Sequence, residues 1–141
     1  MPKRPRPFHL SLAVALASGL ALAAGSPIGS EGYEVIRLPS RPGPGAPIEE
    51  SVLLDTHDTR VLAITLRRST ELPERAYPWP ATLQAFHGTG NVSFDRSGSV
   101  QIGPGKLLAL AAGKRHAIRP GVHGYLVVVV QMSKSAQPGG A

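Results

Sequence analysis

From Leu66 to Met132 the chain is a series of short runs of strand composition, each cut off by glycine or proline. Arg60 to Arg67 places Leu62, Ile64 and Leu66 on one face and Val61, Ala63 and Thr65 on the other, the period-two pattern of a half-buried strand. Thr82 to His87 sets Leu83, Ala85 and His87 against Thr82, Gln84 and Phe86. Asn91 to Phe94 runs into Asp95-Arg96-Ser97-Gly98, a hairpin signal. Val100 to Ile102 stops at Gly103-Pro104-Gly105, where proline cannot continue a central strand. Leu107 to Leu110, His116 to Arg119 and Tyr125 to Gln131 complete the set. Strands this short, with turns about every 8–12 residues, predict an all-β sandwich or barrel. Leu126 to Val130 is apolar at every position, so both of its faces need cover, from the rest of the chain or a second subunit.

The first residues follow a different logic. Lys3, Arg4 and Arg6 precede an uncharged run from Leu10 to Ala24, and Ala21-Leu22-Ala23 ends it with small residues. This is the layout of a cleavable signal peptide over residues 1–23, and the run is shorter than the ~20 residues a membrane span needs. The expected location is therefore secreted or periplasmic, with no stable membrane span after cleavage. Without cysteine, the exported domain has no disulfide to lean on.

Cleavage also changes the charge argument. The chain carries 15 basic and 9 acidic residues, and three of the basic ones leave with the signal. The modest positive charge that remains is scattered in pairs such as Arg67-Arg68 and Lys114-Arg115, so no nucleic-acid partner is expected. Residues 24–50 are rich in glycine, proline and serine and read as a linker or extended arm, in which Tyr33 to Leu38 has strand composition and could extend a sheet edge. The strand domain is expected over residues 51–133, and residues 134–141 as a disordered tail.

Gly105 to His116 (GKLLALAAGKRH) has the form glycine, apolar strand, turn, histidine. Upstream, Leu72 to Pro80 (LPERAYPWP) and Gln84 to Gly88 (QAFHG) repeat the layout of a partner motif. Over roughly residues 60–131 the chain thereby resembles a small single-domain cupin, with His116 at the ligand position of the second motif. The resemblance implies an antiparallel β-barrel of the jelly-roll kind, and a homodimer as a candidate assembly. The departures carry chemistry. Arg75 stands where such a family places a histidine, the His-x-His pair is missing, and Lys106 replaces the common aspartate. Arginine has no lone pair to give a metal, so the usual metal site is expected to be lost and no cofactor is implied.

The candidate ligand-binding residues are Arg75, His116, His87, Tyr77 and Trp79. A guanidinium beside an imidazole suits a small anion, a carboxylate or phosphate; the alternative is that Arg75 pairs at the surface with Glu71 or Glu74. Tyr77 and Trp79 lie among Pro73, Pro78 and Pro80, where they line a pocket or cap the core. The competing reading is a metal-dependent cupin enzyme, dioxygenase or isomerase, whose displaced ligands are His116, His87 and Glu71 or Glu74. His57 and His123 lie beside turn residues and read as exposed. With no cysteine, nucleophile elbow or phosphate loop, nucleophilic catalysis has little support, and a triad of Ser93, Asp95 and His116 exists only on paper. The leading expectation is a non-catalytic, small-ligand-binding or accessory module.

Overall fold

The computed structural model describes residues 32–39, 41–96, 98–122 and 124–135. Residues 1–23, expected as a signal peptide, His123 and the end of the expected tail lie outside them. Among the described residues there is no helix; the chain forms nine strands. These are β1 (Ile48–Asp55), β2 (Thr59–Arg67), β3 (Leu72–Arg75), β4 (Ala81–His87), β5 (Gly90–Phe94), β6 (Gly98–Ile102), β7 (Leu107–Leu110), β8 (His116–Pro120) and β9 (Tyr125–Ser133). They build one sheet in the order β1-β2-β9-β4-β7 and a second in the order β3-β8-β5-β6, with antiparallel pairing throughout.

The expected closed barrel is therefore two facing sheets, with no ladder between them among the described residues. β1 and β3 are the edges on one side, β7 and β6 on the other. The core lies between the sheets, as the alternation predicts. Ile64 and Leu66 of β2, Leu83 of β4, Val92 of β5, Ile118 of β8 and Leu126, Val128 and Val130 of β9 are all fully buried there. Each such side chain contributes about 1.5–3 kcal/mol of burial, which a domain without disulfides needs. The hairpin signal after Phe94 is realised, with Phe94 opposite Gly98.

Three expectations are corrected. Tyr33 to Leu38 forms no strand, and Tyr33 and Val35 are exposed. The edge of the larger sheet is instead β1, which begins at Ile48, inside the expected arm, because Ile48 packs on the core opposite Leu66. At the other end Lys134 is tied down where the disordered tail was expected to start. Its ammonium pairs with Asp55 and donates to the Thr56 carbonyl at 2.7 Å. Lys134, and then Arg60, hold the Asp55 carboxyl below the usual carboxylate range.

The arm lies against the outer face of the larger sheet. Arg67, which shares that face with its pairing partner Tyr125, donates to the carbonyls of Gly43 (3.1 Å) and Ala46 and pairs with Glu49. The Arg41 guanidinium lies 5.8 Å from the Tyr125 ring centroid. The outward stripe of β9 is thus met at Tyr125 by its own chain.

Candidate functional site

β3 and β8 set the site. Arg75 is paired in register with His116, so both side chains project from the same face, the one that buries Leu72 and Ile118. Across the gap, Glu50 of β1 is opposite the core residue Ile64, so it too faces inward. The two meet: Arg75 Nη2 is 2.6 Å from Glu50 Oε1. This ion pair joins the free edges of the two sheets. Each member keeps about a third of its side-chain exposure, 29% for Arg75 and 30% for Glu50, so the pair is partly solvated.

Beneath it lie Tyr77 and His116, with ring centroids 5.2 Å apart. Tyr77 leaves the end of β3 and is fixed by its carbonyl, which accepts from the Gly113 amide at 2.8 Å. His116 is 1% exposed. Its Nδ1 lies 2.9 Å from the Lys114 carbonyl, an acceptor, so Nδ1 carries the proton and Nε2 is left with a bare lone pair. His116 Nε2 has no hydrogen-bond partner in the protein, and the Tyr77 hydroxyl has none of good geometry, the Arg75 guanidinium acting on it from nearby.

The electrostatics follow from burial. Desolvation pushes His116 below the usual histidine range, assisted by the Arg75 cation and opposed by the Lys114 carbonyl, so the imidazole is neutral at pH 7. Burial raises the Tyr77 phenol, with the charge of Arg75 and the approach of its guanidinium to the hydroxyl acting against it. Arg75 is raised on balance because the Glu50 carboxylate outweighs desolvation. The result is a neutral acceptor and a neutral hydroxyl below a paired cation.

Not every candidate joins this cluster. Strict alternation along β4 puts His87 with Leu83 and Ala85, facing inward. A bulge intervenes: Ala85 pairs with Val128 but His87 pairs with Val127, which leaves Phe86 as the extra residue. His87 is therefore on the outer face, packed edge-on against Phe86 with ring centroids 4.9 Å apart. Trp79 is half-buried against the core, with Lys134 Nζ 5.7 Å from its ring, and makes no ring contact with Tyr77 or His116. It caps the core. His57 is exposed, as expected.

The displaced ligand set does not form. Glu71 pairs with Arg119 at 2.6 Å, Glu74 pairs with Arg115, and His87 and His116 lie on opposite sides of the wall. Among the described residues no three His, Asp or Glu side chains come together as a metal site. The inner cluster has one free imidazole nitrogen, a single carboxylate (Glu50) already paired with a guanidinium, and that guanidinium itself, a donor set that does not fit a divalent cation. The paper triad fails as well, since Ser93 pairs with Ala117 and so faces away from His116. The surface partner expected for Arg75, Glu71 or Glu74, is replaced by Glu50. Sequence reading missed Glu50 because the glycine- and proline-rich composition before it masked the start of β1.

A surface cavity of about 550 Å³ lies elsewhere. Arg68, Thr70, Glu71 and Arg119 are among the residues that line it, and none of the inner cluster does.

No protein-family model and no curated protein matches the sequence. Solved structures do match in fold. An RmlC-like cupin family protein with a double-stranded β-helix fold from Methanocaldococcus jannaschii aligns over 72% of this chain and 90% of its own, with 13% identity and a TM-score of 0.62. An uncharacterised protein with a double-stranded β-helix domain from Klebsiella pneumoniae aligns over 68% and 84%, with 18% identity and a TM-score of 0.59. A polyketide cyclase from Streptomyces resistomycificus aligns over 62% and 65%, with 14% identity and a TM-score of 0.55. The fold is that of the cupin jelly roll.

Proposed function

We propose that this cupin-fold chain is an exported, non-catalytic binding protein for a small anion, held by Arg75 at the open edge between the sheets. Tyr77 and His116 are the polar groups that the rest of the ligand meets. The observation that carries the reading is the pair of buried polar atoms, Tyr77 Oη and His116 Nε2, without a protein partner beneath a partly exposed guanidinium. Such an atom costs about 1–3 kcal/mol when left unsatisfied, and a bound ligand removes that cost. Arginine adds bidentate geometry for carboxylate or phosphate.

The test is a titration of the isotope-labelled chain with acetate, glycolate and phosphate, followed by NMR at the Arg75 side-chain NH and the His116 ring. Saturable shifts at both, lost in Arg75→Ala, are expected. Shifts absent from Arg75 with all of these anions would sink the reading. For export, N-terminal sequencing of the secreted product is expected to begin at Ala24; a product that stays in the cytoplasm with Met1 in place removes that part.

A second reading rests on the same pair. A neutral imidazole with a free lone pair is a general base, and a neighbouring phenol is an acid. The polyketide cyclase among the matched structures is a named enzyme on this fold. Wash-in of solvent deuterium at the carbon next to a bound carboxylate would favour catalysis, and its absence would leave binding alone.

A further inference from the structure

We propose that Glu50 is a built-in competitor for Arg75, and that the ligand it yields to is a small hydroxy carboxylate. The ligand's carboxylate replaces Glu50 on the guanidinium, and its hydroxyl donates to His116 Nε2. This rests on the binding function proposed above and specifies its ligand class and its control.

Three features carry it. First, Arg75 already holds a carboxylate, at 2.6 Å, in the charge-assisted geometry that a guanidinium favours. A group that takes its place must match it in charge and shape, which a second carboxylate does and a neutral solute does not. Second, both partners are partly exposed, and Glu50 belongs to β1, an edge strand whose one ladder is to β2. Glu50 can therefore turn away from Arg75 toward solvent without disturbing the core.

Third, the atoms behind the pair select what else the ligand carries. His116 Nδ1 spends its proton on the Lys114 carbonyl, so Nε2 can only accept. An ionised carboxylate has no proton to offer it. A hydroxyl close to the carboxylate does, and the Tyr77 hydroxyl, which can give or take, suits a further oxygen. Acetate thus satisfies Arg75 alone, whereas glycolate satisfies Arg75 and His116 together.

The experiment compares glycolate, acetate and methyl glycolate by calorimetry and by the ¹⁵N shift of the His116 ring, in the full-length wild type and in Glu50→Gln. Glycolate is expected to bind about fivefold more tightly than acetate, the worth of one added hydrogen bond, and to move the Nε2 resonance. Methyl glycolate, without charge, is expected not to bind. Glu50→Gln keeps the side-chain shape but removes the competing charge, so acetate and glycolate are both expected to gain about three- to fivefold. Equal binding of acetate and glycolate with a silent His116 would overturn the hydroxyl requirement, and needs no variant. Unchanged affinities in Glu50→Gln would overturn the competition. In both cases anion binding at Arg75 would stand; loss of binding by all probes in both proteins would remove the underlying function itself.

Discussion

The rings of Tyr77 and His116 meet at 5.2 Å, tilted by 45°, and each ends in a polar atom that the protein does not satisfy. Folded chains seldom leave two such atoms in one cluster of side chains, because each retains most of its desolvation cost. Their stability consequences can be measured without knowing any ligand.

Tyr77→Phe removes a buried hydroxyl that has no partner while keeping the ring on the core. The variant is expected to be more stable than the wild type by about 1 kcal/mol, seen as a rise of several degrees in Tm. A fall in Tm would mean that the hydroxyl is held after all.

His116 gives the chain a pH dependence of definite sign. Its folded pKa lies below the ordinary value near 6.5, so folding disfavours the proton. Above about pH 6.5 the residue is neutral in both states and costs nothing. As pH falls below that value the unfolded chain takes up a proton that the folded chain refuses, and stability declines until the folded pKa is reached. Melting curves between pH 8 and pH 5 are expected to fall more steeply for the wild type than for His116→Gln. Parallel curves would contradict this.

Arg75→Ala is expected to cost about 1 kcal/mol or less in stability, because its ion pair with Glu50 is partly solvated. Its effect on anion binding is expected to be complete. Arg75→Lys keeps the charge but loses the planar fork, so intermediate affinity is expected by calorimetry. Wild-type affinity in the alanine variant would move the anion site elsewhere.

Among the described glycines, Gly88 is the least tolerant of a side chain. Its φ of 77° is left-handed, and an added Cβ would stand 2.2 Å from the Tyr125 carbonyl oxygen. Gly88→Ala is expected to lose about 2 kcal/mol or more, read by denaturant unfolding, because backbone must move to admit it. An unchanged midpoint would show that the β4–β5 turn yields easily.

The strand period of β2 and the Asp95–Gly98 turn were legible in the sequence because each is a local rule about side-chain alternation or backbone φ. Arg75 and His116 were singled out together only through the resemblance of their motifs to those of a cupin, and the sequence left Tyr77 open between a pocket and the core. Glu50 was not legible, since its partner lies across the gap between sheets and its strand follows a segment whose composition argues against strands. Nor was the outward turn of His87, which depends on one unpaired residue that alternation alone does not reveal.

That unpaired residue, Phe86, acts as a spacer that decides which side of the wall the end of β4 presents. Shortening the strand by one position there would reverse everything beyond it and carry an imidazole to the interior. In a scaffold of this kind, the inventory of groups available for chemistry can change through chain length alone, with every amino acid outside the deletion kept.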